Sequence, residues 1–177
     1  MDRKRARFEA EVLPHLDAAY RYALALTRSG ADAEDLVQDA VLRAYRHWEG
    51  LRQAAKPWLM AIVRNCFFTA RARQNRAELV SMSEDEWAQS ALQVVAPMAD
   101  PQTHTIRADQ RRRLEQLLAQ LAEEHREMLI LREIEDLSYR EIADIAGLPI
   151  GTVMSRLARA RQALKELWLH TQGEGAA

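Results

Sequence analysis

Ser138-Tyr139-Arg140-Glu141-Ile142-Ala143-Asp144-Ile145-Ala146-Gly147-Leu148-Pro149-Ile150-Gly151-Thr152-Val153 is the stretch on which the fold turns. Serine followed three residues later by glutamate is a capping box, in which each side chain satisfies an amide that a first helical turn leaves unpaired. Ile142, Ala143 and Ile145 give the short helix it opens an apolar face. Gly147-Leu148-Pro149 then ends that helix: glycine accepts the backbone of a tight turn, and proline cannot extend the preceding helix but can start another. The next helix sets Ile150, Val153, Leu157, Ala160, Leu164 and Leu167 at intervals of three and four. A short helix, a glycine turn and a longer helix predict a helix-turn-helix. On or beside the face opposite its apolar stripe, the second helix carries Thr152, Ser155, Arg156, Arg159 and Arg161, with no acid between Asp144 and Glu166. Arginine can bond bidentately to guanine or phosphate, and Ser and Thr serve bases or backbone. This face is expected to read DNA; the alternative is an ordinary helical hairpin with a solvated basic face.

Working outward, the periodicity is helical nearly everywhere and no strand-like alternation is found. Val12, Leu13, Leu16, Ala19, Tyr20, Ala23 and Leu24 predict a helix from about Phe8 to Thr27, with Pro14 as a possible break or first turn. Asp32 is the expected N-cap of the following helix, whose apolar face runs through Leu36, Val37, Ala40, Val41, Ala44, Tyr45 and Trp48. Residues 49–56 read as a loop. Pro57 suits the first position of a third helix, which is expected to run to about Arg73 and bury Trp58, Leu59, Ile62, Val63, Cys66, Phe67 and Ala70. The pattern decays between about Gln74 and Thr105, a region read as a linker with a short helix around Glu84–Gln93. Ile106, Leu114, Leu117, Leu118 and Leu121 mark one later helix; Met128, Leu129, Leu131 and Ile134 mark another. The expected fold is all-α, two small helical domains joined by a linker, with bounds 1–76, 77–105 and 106–170 and a C-terminal tail 171–177.

Charge sharpens the functional reading. The chain has 177 residues with 25 Lys+Arg against 26 Asp+Glu, a formal net charge of −1 that taken whole speaks against a nucleic-acid binder. Residues 50–77 sum to +6 and residues 145–165 to +4, both without an acid, and a polyanion responds to the patch within a Debye length of roughly 8–10 Å. The third helix joins Arg64, Asn65, Arg71 and Arg73, followed by Arg76, to Trp58, Phe67 and Phe68. Cations beside aromatics are a common way to hold single-stranded nucleic acid, although Trp58 and Phe67 are expected in the core. Asp32, Glu34, Asp35, Gln38 and Asp39 give the second helix an acidic start, read either as a docking surface for a basic partner or as charge that complements the helix dipole.

Over nearly its whole length the chain resembles the compact bacterial sigma factors of the extracytoplasmic-function type. The resemblance is carried by Asp32 to Arg46, by Lys56-Pro57-Trp58-Leu59-Met60-Ala61-Ile62-Val63-Arg64-Asn65, and by Leu129 to Leu164, above all Leu137 to Ala143 and Gly151 to Arg161. It implies a sigma region 2-like helical bundle and a sigma region 4-like helix-turn-helix. Asp35, Gln38 and Asp39 would dock on core RNA polymerase. Arg64, Asn65, Arg71, Arg73 and Arg76 would hold the melted minus-ten strand, Asn65 as a base contact, with the 49–56 loop helping to capture a flipped base. Thr152, Ser155, Arg156, Arg159 and Arg161 would meet the minus-35 element. The acidic linker would thread the polymerase near its RNA exit path. An anti-sigma factor is an expected partner beside polymerase and promoter DNA. Two departures stand out: Met154 occupies a position often basic in relatives, and 49–55 lacks the common Phe-Arg-Gly of the capture loop.

Other classes fit less well. A plain helix-turn-helix regulator would give the acidic helix and the Asn65 region no task, and a sigma mimic that titrates a regulatory partner usually needs a controlling domain. The five histidines are dispersed, and the one cysteine, Cys66, leaves neither a metal set nor a disulfide framework. No nucleophile motif or glycine-rich phosphate loop appears, so neither a cofactor nor a catalytic residue is expected. No 18-residue apolar run exists. The expectation is a cytoplasmic protein without a membrane span.

Overall fold

Helical periodicity is realised in every regular element of the computed structural model, which describes residues 3–48, 54–81 and 106–173. Helix α1 (Arg3–Val12) passes through a single 3-10 turn at Leu13–His15 into α2 (Leu16–Thr27). Pro14 is the cause: it has no amide to donate, so the helix is interrupted there and resumes. Arg28 closes α2 in the left-handed conformation (φ 61°). Helix α3 (Gly30–Arg46) starts at once, and its N-cap is Ser29, not the expected Asp32. Ser29 has the extended backbone a cap requires, and its hydroxyl accepts from the Asp32 amide at 3.4 Å. Asp32 therefore sits in the first turn, where its charge favours the helix dipole.

Helix α4 (Ala55–Ser81) outruns its expected end near Arg73, because the residues after it are good helix formers with no breaker among them. Pro57 is its third residue, still within the turn whose amides have no helical partner. Leu59, Met60, Val63 and Cys66 are buried; Trp58, Ile62 and Phe67 are half-buried; Ala70, expected inside, faces solvent. Small residues Ala19, Ala23, Ala33, Ala40 and Ala44 line the buried faces of α2 and α3, allowing close approach of the helices. Phe8 of α1 closes one end, edge-on to Tyr45 at 5.1 Å and to Trp48 at 5.3 Å, and Trp48 meets Trp58 at 5.7 Å.

The later half contains α5 (Ile106–Gln120), α6 (Glu123–Leu129), α7 (Tyr139–Ala146) and α8 (Ile150–Gly173). The apolar run expected as one helix through Ile134 changes pitch: Ile130–Ile134 is a π-helical turn, in which the Glu135 amide donates to the Ile130 carbonyl at 2.9 Å. Ile134 is consequently 44% exposed and not a core residue. Leu117, Met128, Leu131, Ile142, Val153 and Leu157 fill this half. The two halves also share one apolar core, with α2 packed against α6 and α4 against α7. The 49–53 part of the expected capture loop, the expected linker beyond Ser81 with its short helix at Glu84–Gln93, and the end of the tail fall outside the described residues, while the first residues of that linker, 77–81, continue α4.

Candidate nucleic-acid interface

The capping box forms as the sequence predicts. Ser138 Oγ accepts from the Glu141 amide at 3.2 Å, while Glu141 Oε2 accepts from the Ser138 amide at 2.8 Å. Gly147 takes the left-handed conformation (φ 65°) and donates its amide to Ala143. The Pro149 carbonyl accepts from Thr152 and Val153 at 2.9 and 3.1 Å, starting α8 directly after the turn. Val153, Leu157 and Ala160 anchor α8, so its other side is presented outward. Ser155, Arg159 and Arg161 are exposed there, and Thr152 and Arg156 are half-buried. Arg161 bonds Glu133 through two nitrogens at 3.0 and 2.6 Å, and Arg156 pairs with Glu124 at 3.3 Å. Arg159 reaches only back to the Ser155 carbonyl at 3.4 Å. Ile150, placed on the apolar stripe by its spacing, is 46% exposed, and Met154 is 52% exposed beside the arginines. Ile150 opens α8, one turn ahead of Val153 where the stripe packs, and Met154 lies off the stripe.

A second basic surface lies along α4. Asn65, Arg71, Arg73 and Arg76 are exposed, and a shallow groove runs between Asn65, Phe68, Thr69, Ala72, Arg73 and Arg76. Phe67 and Phe68 meet edge to face at 5.1 Å, and the Arg64 guanidinium stacks over Phe68 at 4.6 Å. Arg64 differs from the other four: its side chain is only 20% exposed, and its Nε donates to Glu127 Oε1 at 2.7 Å. Arg71 is ion-paired with Glu123.

The acidic surface of α3 keeps Asp35 and Gln38 exposed, while Asp39 binds Arg43 one turn on at 2.9 Å. Leu42, not singled out from the sequence, is 52% exposed and follows Asp35, Gln38 and Asp39 on one helical stripe. Its signal was the seven-residue interval from Asp35.

Between the halves lie two buried acids that periodicity did not reveal. Glu127 is 3% exposed and accepts from both the Tyr22 hydroxyl and Arg64 at 2.7 Å. Burial, then the neighbouring Glu127 carboxylate, raises the Tyr22 pKa well above its ordinary value, so the phenol stays a donor. Glu135, at the end of the π-turn, accepts from Arg21 at 2.8 and 3.1 Å and from Lys56 at 2.8 Å. Burial works against its ionisation, but the bonds from Arg21 and Lys56 prevail and hold its carboxyl below the ordinary range. Arg126, also buried, donates to the Ala25 carbonyl at 2.6 Å, in the last turn of α2 where the helix dipole favours a cation.

Comparison with known proteins bears on all these surfaces together. Residues 12–77 match the family model for sigma-70 region 2, and residues 111–164 match that for sigma-70 region 4. The ECF RNA polymerase sigma factor SigE of Mycolicibacterium smegmatis is 34% identical over 158 residues, covering 88% of this chain and 59% of that protein. The ECF RNA polymerase sigma factor SigL of Mycobacterium tuberculosis is 35% identical over 154 residues, covering 85% of this chain and 82% of that one. Among solved structures, the sigma factor RpoE of Bartonella quintana, crystallised with the anti-sigma factor NepR, aligns with a TM-score of 0.73 at 28% identity, over 92% of this chain and 96% of that one. The chain thus spans less than two thirds of the SigE relative and most of SigL.

Proposed function

The chain belongs to the extracytoplasmic-function sigma factors of bacterial RNA polymerase, and on that premise we propose how its surfaces divide the work of promoter recognition. The observation that carries the reading is the face of α8, where Thr152, Ser155, Arg156, Arg159 and Arg161 stand over a packed helix-turn-helix with no acid from Ile145 to Lys165. This face enters the minus-35 major groove, Arg159 and Arg156 supplying the base or phosphate forks and Ser155 and Thr152 the shorter contacts. Residues 106–170 form this unit, ending before a tail at 171–177.

The unit 1–76 binds the melted minus-ten strand. The groove beside Asn65 and Phe68 receives an unstacked base, Asn65 offering its amide to the base edge, while Arg64, Arg71, Arg73 and Arg76 hold the phosphates around it. Asp35, Gln38 and Asp39 dock on basic side chains of core polymerase, with Leu42 as an apolar contact at the C-terminal end of the same stripe. The segment 77–105 connects the two units through the polymerase. Bond formation in RNA belongs to polymerase; this chain supplies recognition and melting, has no catalytic residue of its own and needs no cofactor. It works in the cytoplasm with that enzyme, and no helix among the described residues is long and apolar enough to cross a membrane. An anti-sigma factor restrains it, as NepR is bound to the Bartonella sigma factor.

Runoff transcription tests this reading directly. Core polymerase with the purified chain should initiate at discrete sites on a promoter library, and the Arg156→Ala and Arg159→Ala variants should each lose about 1–3 kcal/mol of minus-35 discrimination. Absence of specific initiation on any member, or unchanged minus-35 footprints in both variants, would overturn it.

A further inference from the structure

One short helix engages cations from both promoter-reading surfaces at once. Of the acids on α6, Glu127 binds Arg64, Glu123 binds Arg71 and Glu124 binds Arg156. The first two are cations of the minus-ten surface and the third belongs to the recognition helix. Burial of Glu127 beneath Tyr22 and the buried seat of Glu135 on Arg21 and Lys56 fix α6 in that place. We propose that α6 is an autoinhibitory latch: in the free chain its carboxylates occupy positions that promoter phosphates take on α4, and they hold the two halves closed until polymerase and DNA separate them.

Dimensions require the separation. A compact chain of 177 residues has a radius of gyration of about 16 Å, hence a diameter of roughly 40 Å. DNA elements centred about 25 base pairs apart are roughly 85 Å apart along straight B-form duplex at 3.4 Å per pair. A closed molecule cannot contact both. The residues 82–105, beyond the end of α4, have a covalent reach of at most about 85 Å, which added to the widths of the two halves permits the open form. On opening, each arginine exchanges a carboxylate for a phosphate, so its charge is compensated in both states while the free chain is kept from casual DNA. The Arg64 ring stack on Phe68 keeps the guanidinium in place for either partner.

This inference rests on the reading of Arg64 and Arg71 as promoter contacts, and its test uses the full chain. Cysteines introduced at Ala31 and Lys165, both exposed, carry a donor and an acceptor dye; Cys66 is buried with its thiol pKa raised by burial, which leaves it unlabelled. A fluorescent single-stranded DNA of randomised sequence is the ligand. Glu123→Ala with Glu127→Gln should lower transfer between the dyes and strengthen DNA binding about tenfold beyond Asp144→Asn, which removes one charge from an exposed position of α7. Where Glu127→Gln loses helical circular dichroism, Glu123→Ala at the solvent-facing pair should by itself give about a threefold gain. Unchanged transfer would refute the latch, and lowered transfer with DNA affinity no better than the control would refute occlusion. Failure of the wild-type chain to initiate with core polymerase would instead strike the promoter reading, because dye transfer is measured without DNA or polymerase.

Discussion

Gly151 is the second residue of α8, and a Cβ built on it would meet nothing within 4 Å. Neither packing nor backbone conformation demands a glycine there, and helix propensity disfavours one by about 0.5–1 kcal/mol relative to alanine. What the missing side chain leaves is room for an external backbone to approach the start of the recognition helix. Gly151→Ala should therefore hold or raise the melting temperature while weakening the minus-35 footprint several-fold; an intact footprint would remove Gly151 from the DNA surface. At this scale the sequence was informative wherever a residue acts locally. Ser138, Glu141 and Gly147 perform the roles their spacing announced, because caps and turns depend on neighbours three or four positions away. Tyr22, Glu127 and Glu135 were illegible for the opposite reason: their partners lie 105 and 114 residues distant, and periodicity carries no record of a contact at that range.

Helix α3 shows what an element adds to its residues. Its acids could have been simple complements to the dipole, and Asp32 in the first turn does serve that way. Asp35 and Asp39 lie beyond the first turn, aligned with Gln38 and the exposed Leu42 on one stripe, along which Asp35 and Gln38 are exposed and Asp39 is half-buried. An exposed apolar side chain beside a row of acids is the composition of a protein contact, the acids steering and the apolar group contributing burial. Asp35→Arg with Asp39→Arg should reduce capture of core polymerase at least tenfold with an unaltered circular dichroism spectrum, and undiminished capture would assign the stripe to solvent. Element ends were the less legible part. Ser29 displaced Asp32 as the cap because the left-handed Arg28 brings α3 in sooner than the acid pattern suggests, and α4 continued because nothing after Arg73 stops it.

For the whole molecule, closure rests on the shared apolar core and on an electrostatic contribution with a definite pH range. The carboxyl of Glu135 is held below the ordinary value of 4.5, so its contribution is complete above that value and is lost as pH falls through the depressed one. Dye transfer between the halves should stay constant from neutral pH down to about 4.5 and then fall, and this acid limb should be absent in Glu135→Gln; an identical limb in that variant would assign it to other carboxylates. The domain plan, helical bundle then helix-turn-helix, was readable from local pattern, but the shared core was not, since charge blocks counted along the chain say nothing about which acids face which bases. The net charge of −1 conceals an internal pairing: acids of one half neutralise bases of the other. The π-turn at Ile130–Ile134 gives this arrangement a distinct evolutionary handle. A π-turn accommodates one residue more than the regular helix needs, so deleting a single residue there would rotate Glu135 by about a third of a turn and carry it off Arg21 and Lys56. The recognition helix would keep its entire sequence. A lineage could thus pass between more and less tightly restrained descendants by an insertion or deletion of one codon, without altering a single residue that reads the promoter.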